Sequence, residues 1–398
     1  LTGNDRTSWS TVAVAVLGGV IAALHIGKLP PALPLMRAEL GFGLVAGGFV
    51  VSLFNVLTMT TGVLVGGIAE QVGRIRTVIA GLCCLAAGGV LGALAQDLTT
   101  LMASRLIEGV GFLSLAVSMP AVILAATADR DQGLALGLWS VFTPLGMSLA
   151  MLAAPSALSA AGWRGLWWAI VPLCALAGIA LLRRMRRLAL PGAARAGFLR
   201  LVIEAVRAPG LLLIGLIFCL YAFQWMALMV WLPTFQTESL QLGLDRAALV
   251  TALVVLMNVP GCLWGGWLLR RGRSARALLM LGSAIMGLCA LAIFLPVLPG
   301  PARILASLAF SFFGGLVPPS LFNSVPRFAP GPLHISAGNG LLMQGSALGQ
   351  FAGAPLVALS VDLGGGDWRF AALPMLAACA LAIAAAALMR RVAAATGP

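Results

Sequence analysis

Charge is what this sequence has least of. Only 9% of its 398 residues are charged and 12 are acidic, while 61% are hydrophobic and the mean hydropathy is +1.03. No soluble domain buries that much apolar surface, so a water-soluble enzyme or binding module is excluded. Tyrosine occurs once, histidine twice, and Lys28 is the sole lysine among 25 basic residues. The seven cysteines (Cys83, Cys84, Cys174, Cys219, Cys262, Cys289 and Cys379) lie in apolar stretches without a CxxC pair. They read as small buried hydrophobes, and two histidines with such cysteines make no metal site. A phosphate-cradling P-loop is missing, which argues against an ATP-driven process. The alternating polarity of a membrane β-barrel is missing too. No cofactor is expected.

What the sequence does have is long apolar runs. A hydrocarbon core about 30 Å thick needs about 20 apolar residues per helical span. Twelve runs meet that need, near 11–31, 44–66, 77–95, 100–124, 134–158, 165–183, 210–234, 247–268, 276–298, 302–325, 335–359 and 370–390. They predict an all-α membrane protein with twelve transmembrane helices. The first run is too long for a signal peptide and lacks a cleavage pattern, so it is expected to be retained. The loops are short except after Leu182 and leave no room for a soluble catalytic domain, so no enzyme is expected.

A net charge of +13 would suit nucleic acid. Its placement points elsewhere. Arg6, Arg74, Arg76, Arg130, the arginines of 183–207 and 270–276, Arg327, Arg390 and Arg391 fall at one set of helix ends. Only Lys28, Arg37, Arg164, Arg246, Arg303 and Arg369 fall at the other. This asymmetry over short loops predicts that both termini are cytoplasmic. The basic surface would then face anionic lipid rather than nucleic acid. The expected setting is a bacterial inner (plasma) membrane, and the expected state a monomer.

A polar interruption occurs twice. Gly66-Gly67-Ile68-Ala69-Glu70-Gln71-Val72-Gly73-Arg74-Ile75-Arg76 separates the second and third runs, and Gly265-Gly266-Trp267-Leu268-Leu269-Arg270-Arg271-Gly272-Arg273 separates the eighth and ninth. Gly162-Trp163-Arg164 precedes the sixth run and Asp367-Trp368-Arg369 the twelfth. Gly137 and Gly146 in the fifth run have the same spacing as Gly340 and Gly349 in the eleventh. One plan is therefore written twice: an N-terminal six-helix half over 1–182, a cytoplasmic arginine-rich linker over 183–208 and a C-terminal half over 209–398. Single glycines at helix spacing are often plain packing, but packing alone does not explain their matching positions.

On these residues the chain resembles the major facilitator superfamily. The family's loop motif, roughly G-x-x-x-D-R-x-G-R-x-R, is matched at Gly66, Gly73, Arg74 and Arg76, with Glu70 for the aspartate and Gln71 for the first arginine. Its R-x-x-x-G motif is matched by Arg105 and Gly109, and the Trp-Arg pair before the sixth run is also usual. In texture, including Trp231-Leu232-Pro233, the chain is similar to the cyanate and nitroimidazole-type permeases. The resemblance implies two pseudo-symmetric halves rocking about a midplane site lined by helices 1, 4, 7 and 10. It also implies a conformational lock in which Arg74 and Arg76 bridge to Asp129 or Asp131, with Glu70 capping a neighbouring helix.

Ionisable groups inside a membrane are costly and usually face a cavity or a partner. Arg105 and Glu108 lie three residues apart on one face of the fourth run, about 9 and 13 Å from its start. They suit either proton coupling and recognition of substrate charge or a neutralised structural pair. His25 and Lys28 have the same spacing near the end of the first run, where Pro30, Pro31 and Pro34 are expected to break the helix. Lys28 either snorkels to the headgroups or joins the site. His25 is either a satisfied core histidine or a group that contacts substrate or shares a proton with Glu108. Tyr221 and Gln224, at mid-depth in the seventh run, offer a hydroxyl and an amide to a small polar solute, while Trp231 suits an interfacial anchor or an aromatic wall. Asn55 and Asn258 sit near mid-depth in the second and eighth runs, about one turn apart relative to the duplicated Gly-Gly and so on a shared face, and suit either substrate or interhelical hydrogen bonds.

The resulting expectation is proton-coupled uptake of a small anionic or polar organic solute by alternating access. The alternatives are a proton-antiport exporter of drug-like compounds and a transport-inactive membrane sensor. The family's exporter motif, G-x8-G-P-x-x-G-G, keeps its glycine spacing at Gly137 and Gly146, but Met147 replaces the proline.

Overall fold

The computed structural model describes residues 6–42, 44–185 and 197–395. In lipid every backbone N–H and C=O must bond within the chain, so apolar runs of this length fold as helices. The described residues form helices and turns, with no strand among them. The first half comprises α1 (Trp9–Gly27), α2 (Leu44–Val72), α3 (Arg74–Ala93), α4 (Leu98–Ala125) and the stretch that carries α5 and α6. That stretch, Asp129–Arg184, is 56 residues long, more than twice what a span requires. Its backbone leaves helical geometry at Gly162 (φ 63°, ψ −173°), which divides it into α5 and α6. Only glycine adopts that conformation without strain. The second half comprises α7 (Pro209–Ser239), α8 (Leu244–Arg270), α9 (Ala275–Phe294), α10 (Gly300–Gly314, continued by Val317–Phe328), α11 (Ile335–Leu363) and α12 (Ala372–Ala395).

Between the halves runs a short helix, Phe198–Arg207. Its Glu204 bonds both Arg200 and His334 at the foot of α11. The expected linker begins at 183, and its stretch 186–196 lies outside the described residues.

The prolines after α1 do not end helical structure. Lys28 keeps an αR backbone, and Pro30 and Pro31 lie in the opening turn of a second segment, Leu29–Leu40. First-turn N–H groups have no intrahelical partner, so proline costs little there.

The two halves meet along α2–α11 and α5–α8, which are counterparts in the duplicated plan. At the end of the bundle carrying the first and last described residues, backbones nearly touch. A Cβ built on Gly340 would lie 2.2 Å from the Gly62 oxygen, and one on Gly137 would lie 2.5 Å from the Gly266 Cα. Gly146 and Gly349 serve another purpose. Each lets its helix lie against a neighbour in its own half, Gly146 on Val20 and Ala23 of α1 and Gly349 on Cys219 of α7. The repeated glycine pairs thus place one residue between halves and one within a half.

The opposite end has its own paired ties. The indole N–H of Trp163 donates to Glu39 (2.6 Å), and Arg164 donates to the same carboxylate and to the Ala95 carbonyl. In the second half the Trp368 indole donates to Glu238 (3.0 Å). The tryptophan that begins α6 and the one that precedes α12 therefore each hold a carboxylate, Glu39 in the segment that follows α1 and Glu238 in the last turn of α7.

Candidate functional site

Three basic side chains of the first half converge on one carboxylate. His25 and Lys28 project from one turn of α1 and its continuation, and Arg105 and Glu108 from one turn of α4. Lys28 Nζ donates to Glu108 Oε1 (2.6 Å), and His25 Nδ1 lies 2.8 Å from the same oxygen. Arg105 donates to Glu108 Oε2 and to the His25 carbonyl (2.9 Å). All four residues are at most 1% exposed. Gly88 on α3 makes room for the carboxylate, since a Cβ there would come within 2.6 Å of Glu108 Cγ. Trp167 covers Lys28, whose Nζ is 4.1 Å from the ring centroid, and Phe54 packs on Arg105. Cys174 Sγ approaches the far nitrogen of His25 at 3.5 Å. With the imidazole neutral, two cations face a single carboxylate.

In front of this cluster lies a cavity of about 390 Å³ between the halves. Among the described residues, Arg105 is the only basic or acidic side chain in its lining. Its Nε is buried without a hydrogen-bond partner among the described residues. The walls are mostly apolar, with Phe54, Phe112 and Phe142 from the first half and Phe218, Tyr221, Trp225 and Phe322 from the second. Polar groups are few. Asn258 donates to the Tyr221 hydroxyl (3.0 Å) and to the Ser311 carbonyl (2.9 Å), which joins α7, α8 and α10 at mid-depth. Asn55, Thr58, Thr143 and Gln350 also line the space.

Hydrogen bonds joining the halves gather on the side of the cavity nearer the termini. Glu70 accepts from the Ser336 N–H (2.9 Å) at the start of α11, where a carboxylate complements the helix dipole. Arg74 donates to Glu70 (3.0 Å) and to the Pro332 carbonyl (2.7 Å). Arg270 pairs with Asp131 (2.9 Å). Gln344 accepts from the Val63 N–H and donates to the Met59 carbonyl. Higher up, the thiol of Cys262 points to the Ser140 carbonyl across the α5–α8 contact. Gly66 lies against Ser336, and Gly73 (φ 101°) makes the turn before Arg74.

The structure departs from several expectations. Lys28 does not snorkel; it is fully buried and spent on Glu108. Gln224 does not line the cavity: it donates to the Leu220 carbonyl and accepts from the Cys379 thiol of α12. A three-residue step rotates about 60° short of a full turn, and that displacement carries Gln224 off the cavity-lining face of Tyr221. Arg74 and Arg76 do not bridge to Asp129 or Asp131. Asp131 takes Arg270 and the Thr7 hydroxyl, Asp129 takes Gln132, and Arg74 reaches across to the foot of α11. Trp231 bonds the Ala354 carbonyl and packs on Trp368, away from the cavity. Sequence reasoning pointed to Trp225, which lines the cavity, as part of an aromatic wall, and missed Ser311, Trp167 and Cys174. Each is a common residue on an apolar helix, and only the packing of neighbouring helices marks it out.

Comparisons with known proteins agree with this geometry. A family model described as Major Facilitator Superfamily matches residues 15–334. The chain is 25% identical over 175 residues to the MFS-type efflux pump MMF1 of Pseudozyma antarctica, a match covering 44% of this chain and only 32% of that protein's length. Its fold is similar to that of the human organic anion transporter MFSD10, with a TM-score of 0.79 at 18% identity over 97% of this chain and 100% of that one. It is also similar to the E. coli fucose:proton symporter FucP, with a TM-score of 0.78 at 16% identity over 96% and 99% of the two chains. Helices long and apolar enough to cross a membrane among the described residues, arranged in two matching halves, a cavity between them and a family match over residues 15–334 lead to one conclusion: the chain belongs to the Major Facilitator Superfamily.

Proposed function

We propose that the protein is a proton-coupled secondary transporter that takes up a small organic anion with an apolar or aromatic body. The observation that carries this reading is Arg105, the one acidic or basic side chain among the described residues that line the cavity. Arg105 presents an unpartnered Nε at a largely apolar wall, and the cluster behind it holds two cations against one carboxylate. An anionic substrate balances that charge, and the rings of both halves suit its body. The cavity volume of about 390 Å³ fits a molecule of a few rings at most.

Glu108 is assigned the coupling role. While ionised it holds Lys28, Arg105 and His25. A proton arriving on it frees the two cations for the substrate, and His25, 2.8 Å away, is placed to relay that proton. Asn258 and Tyr221 brace the opposite wall, and Asn55 offers a polar contact on α2. By charge asymmetry the termini face the cytoplasm of a bacterial inner membrane. The closed end is then the inner one, and the cavity is offered to the outside. Glu70, Gly73, Arg74 and Asp131 hold the inner end shut, and rocking of the halves opens it. The chain acts as a monomer.

The test uses Glu108→Gln in proteoliposomes, with a panel of small aromatic and aliphatic acids. Ligands are chosen first by the rise they cause in thermal midpoint. The variant is expected to lose accumulation driven by a pH gradient while keeping counterflow exchange, which also reports that it is folded. Undiminished proton-driven accumulation refutes the coupling role.

The second reading is proton-antiport export of drug-like compounds. Met147, Met151, Met226, Met229 and Met343 on the cavity wall favour it, because methionine adapts to varied shapes. The same vesicles distinguish the two: counterflow that runs against the imposed proton gradient supports export, and concentration along it supports uptake.

A further inference from the structure

A second cavity, of about 500 Å³, lies at the termini end of the second half, away from the transport cavity. Arg273 reaches it from the turn before α9, Arg276 from the first turn of α9, Arg327 from the end of α10 and Arg390 from the end of α12. No acidic residue lines it among the described residues. None of these four arginines makes a hydrogen bond or ion pair among the described residues, and the Nε of Arg276 is buried without a partner. The acids at this end are engaged elsewhere: Asp131 with Arg270, Glu70 with Arg74, and Glu204 with Arg200 and His334.

Four guanidinium groups around one hollow repel one another. Arginines that serve only to orient a chain in the membrane need no hollow and gain from spreading apart. The pocket has further anion-binding character. Ser274 precedes α9 without a side-chain bond to its first turn, and Ser274, Ala275 and Arg276 line the hollow, so the positive end of the helix dipole lies beside it without a side-chain cap. Asn323 adds an amide on the α10 wall. Planar guanidinium forks bind tetrahedral phosphate oxygens two at a time.

We propose that this pocket binds a phosphate group, carried either by the headgroup of an anionic phospholipid or by a soluble phosphate. It closes on α9, α10 and α12 together. Because α10 also supplies Pro318 and Phe322 to the transport cavity, an occupant ties that wall to the membrane surface. The assignment does not depend on the transported substrate.

The test is thermal unfolding of the full chain in an uncharged detergent. One series is titrated with short-chain phosphatidylglycerol and another with inorganic phosphate, each at low and high sodium chloride. For wild type the midpoint is expected to rise saturably and to lose sensitivity with salt. Arg276→Gln/Arg327→Gln should need at least about tenfold more ligand, since two charge-assisted contacts are lost. Arg390→Gln, a single exposed change, gives a milder loss and serves if the double variant folds poorly. Arg271→Gln should respond like wild type, because Arg271 stacks on Trp267 (4.0 Å) outside the pocket. A response to phosphatidylglycerol alone assigns a lipid headgroup; an equal arginine-dependent response to inorganic phosphate assigns a soluble ligand. Equal responses of wild type and both pocket variants overturn the proposal, as does a loss in Arg271→Gln that matches the double variant.

Discussion

Alanine at Gly340 should open the termini end of the bundle, while alanine at Gly349, on the same helix, should not. A Cβ on Gly340 lies 2.2 Å from the Gly62 oxygen and 2.7 Å from its carbonyl carbon, where ordinary contact begins at 3.4 Å. The α2 and α11 backbones must therefore part by about 1 Å, and close-packed interiors do not absorb such a shift locally. Overpacking of this kind costs about 1–3 kcal/mol. The cost falls only on the conformation in which the halves touch. Alanine's better helix propensity, about 1 kcal/mol, applies to both conformations and cancels. The closed state should then lose about 5- to 150-fold in relative population. Cys262 reports the change. It is fully buried at the α5–α8 contact, and maleimide reacts only with a hydrated thiolate. With the other cysteines replaced, Gly340→Ala should speed Cys262 alkylation, and Gly137→Ala should do the same through Gly266. Gly349→Ala and Gly146→Ala press instead on Cys219 and Val20 within their own halves. They should lower the thermal midpoint and leave alkylation unchanged. A folded Gly340→Ala protein alkylated at the wild-type rate, or a Gly349→Ala protein alkylated faster, would refute this division of labour.

Three further outcomes follow from the ion pairs. Asp131→Asn should also speed Cys262 alkylation, but only by a few-fold, because Arg270 is 46% exposed and such a pair contributes about 0–1 kcal/mol. Glu108→Gln leaves Lys28 and Arg105 buried without a carboxylate, so thermal stability should fall by about 3–5 kcal/mol. Lys28→Met in the same protein should recover most of that loss, and a double variant no more stable than the single one would break the pairing argument. Hydrogen bonds from Arg164 and Trp163 hold the Glu39 carboxyl below its ordinary pKa. A depressed carboxylate contributes stability above its unfolded pKa and loses it as pH falls through the folded value. Wild type should therefore exceed Glu39→Gln in thermal midpoint at pH 7 by a small margin, given how exposed this pair is, and the gap should close in acid.

Helix number, duplication and the ionisable cluster's members were all readable from the sequence, because each leaves a local mark. Apolar run length sets the spans, repeated Gly-Gly…Gly-Arg interruptions set the halves, and charged residues deep in apolar runs announce themselves. Partners were harder. Lys28 looked free to reach the headgroups until α4 brought Glu108 beside it. Asp131 and Arg74 each had several permissible partners, and the choice depended on how α8 and α11 dock. Gln224 shows the limit of helical phase: a small angular error at one residue moves its side chain from a cavity to a neighbouring helix. Glu39 and Glu238 carried no sequence signal at all, although their tryptophan partners did.

The cluster of His25, Lys28, Arg105 and Glu108 belongs to one half of the molecule, while the linked Tyr221, Asn258 and Ser311 on the cavity wall belong to the other. On the proposed reading, proton coupling and substrate fit then lie in different halves. Drift or deliberate change in α7, α8 and α10 can try new cargoes while the charged quartet on α1 and α4 stays as it is. A chimera joining this first half to a relative's second half offers a direct route to altered specificity.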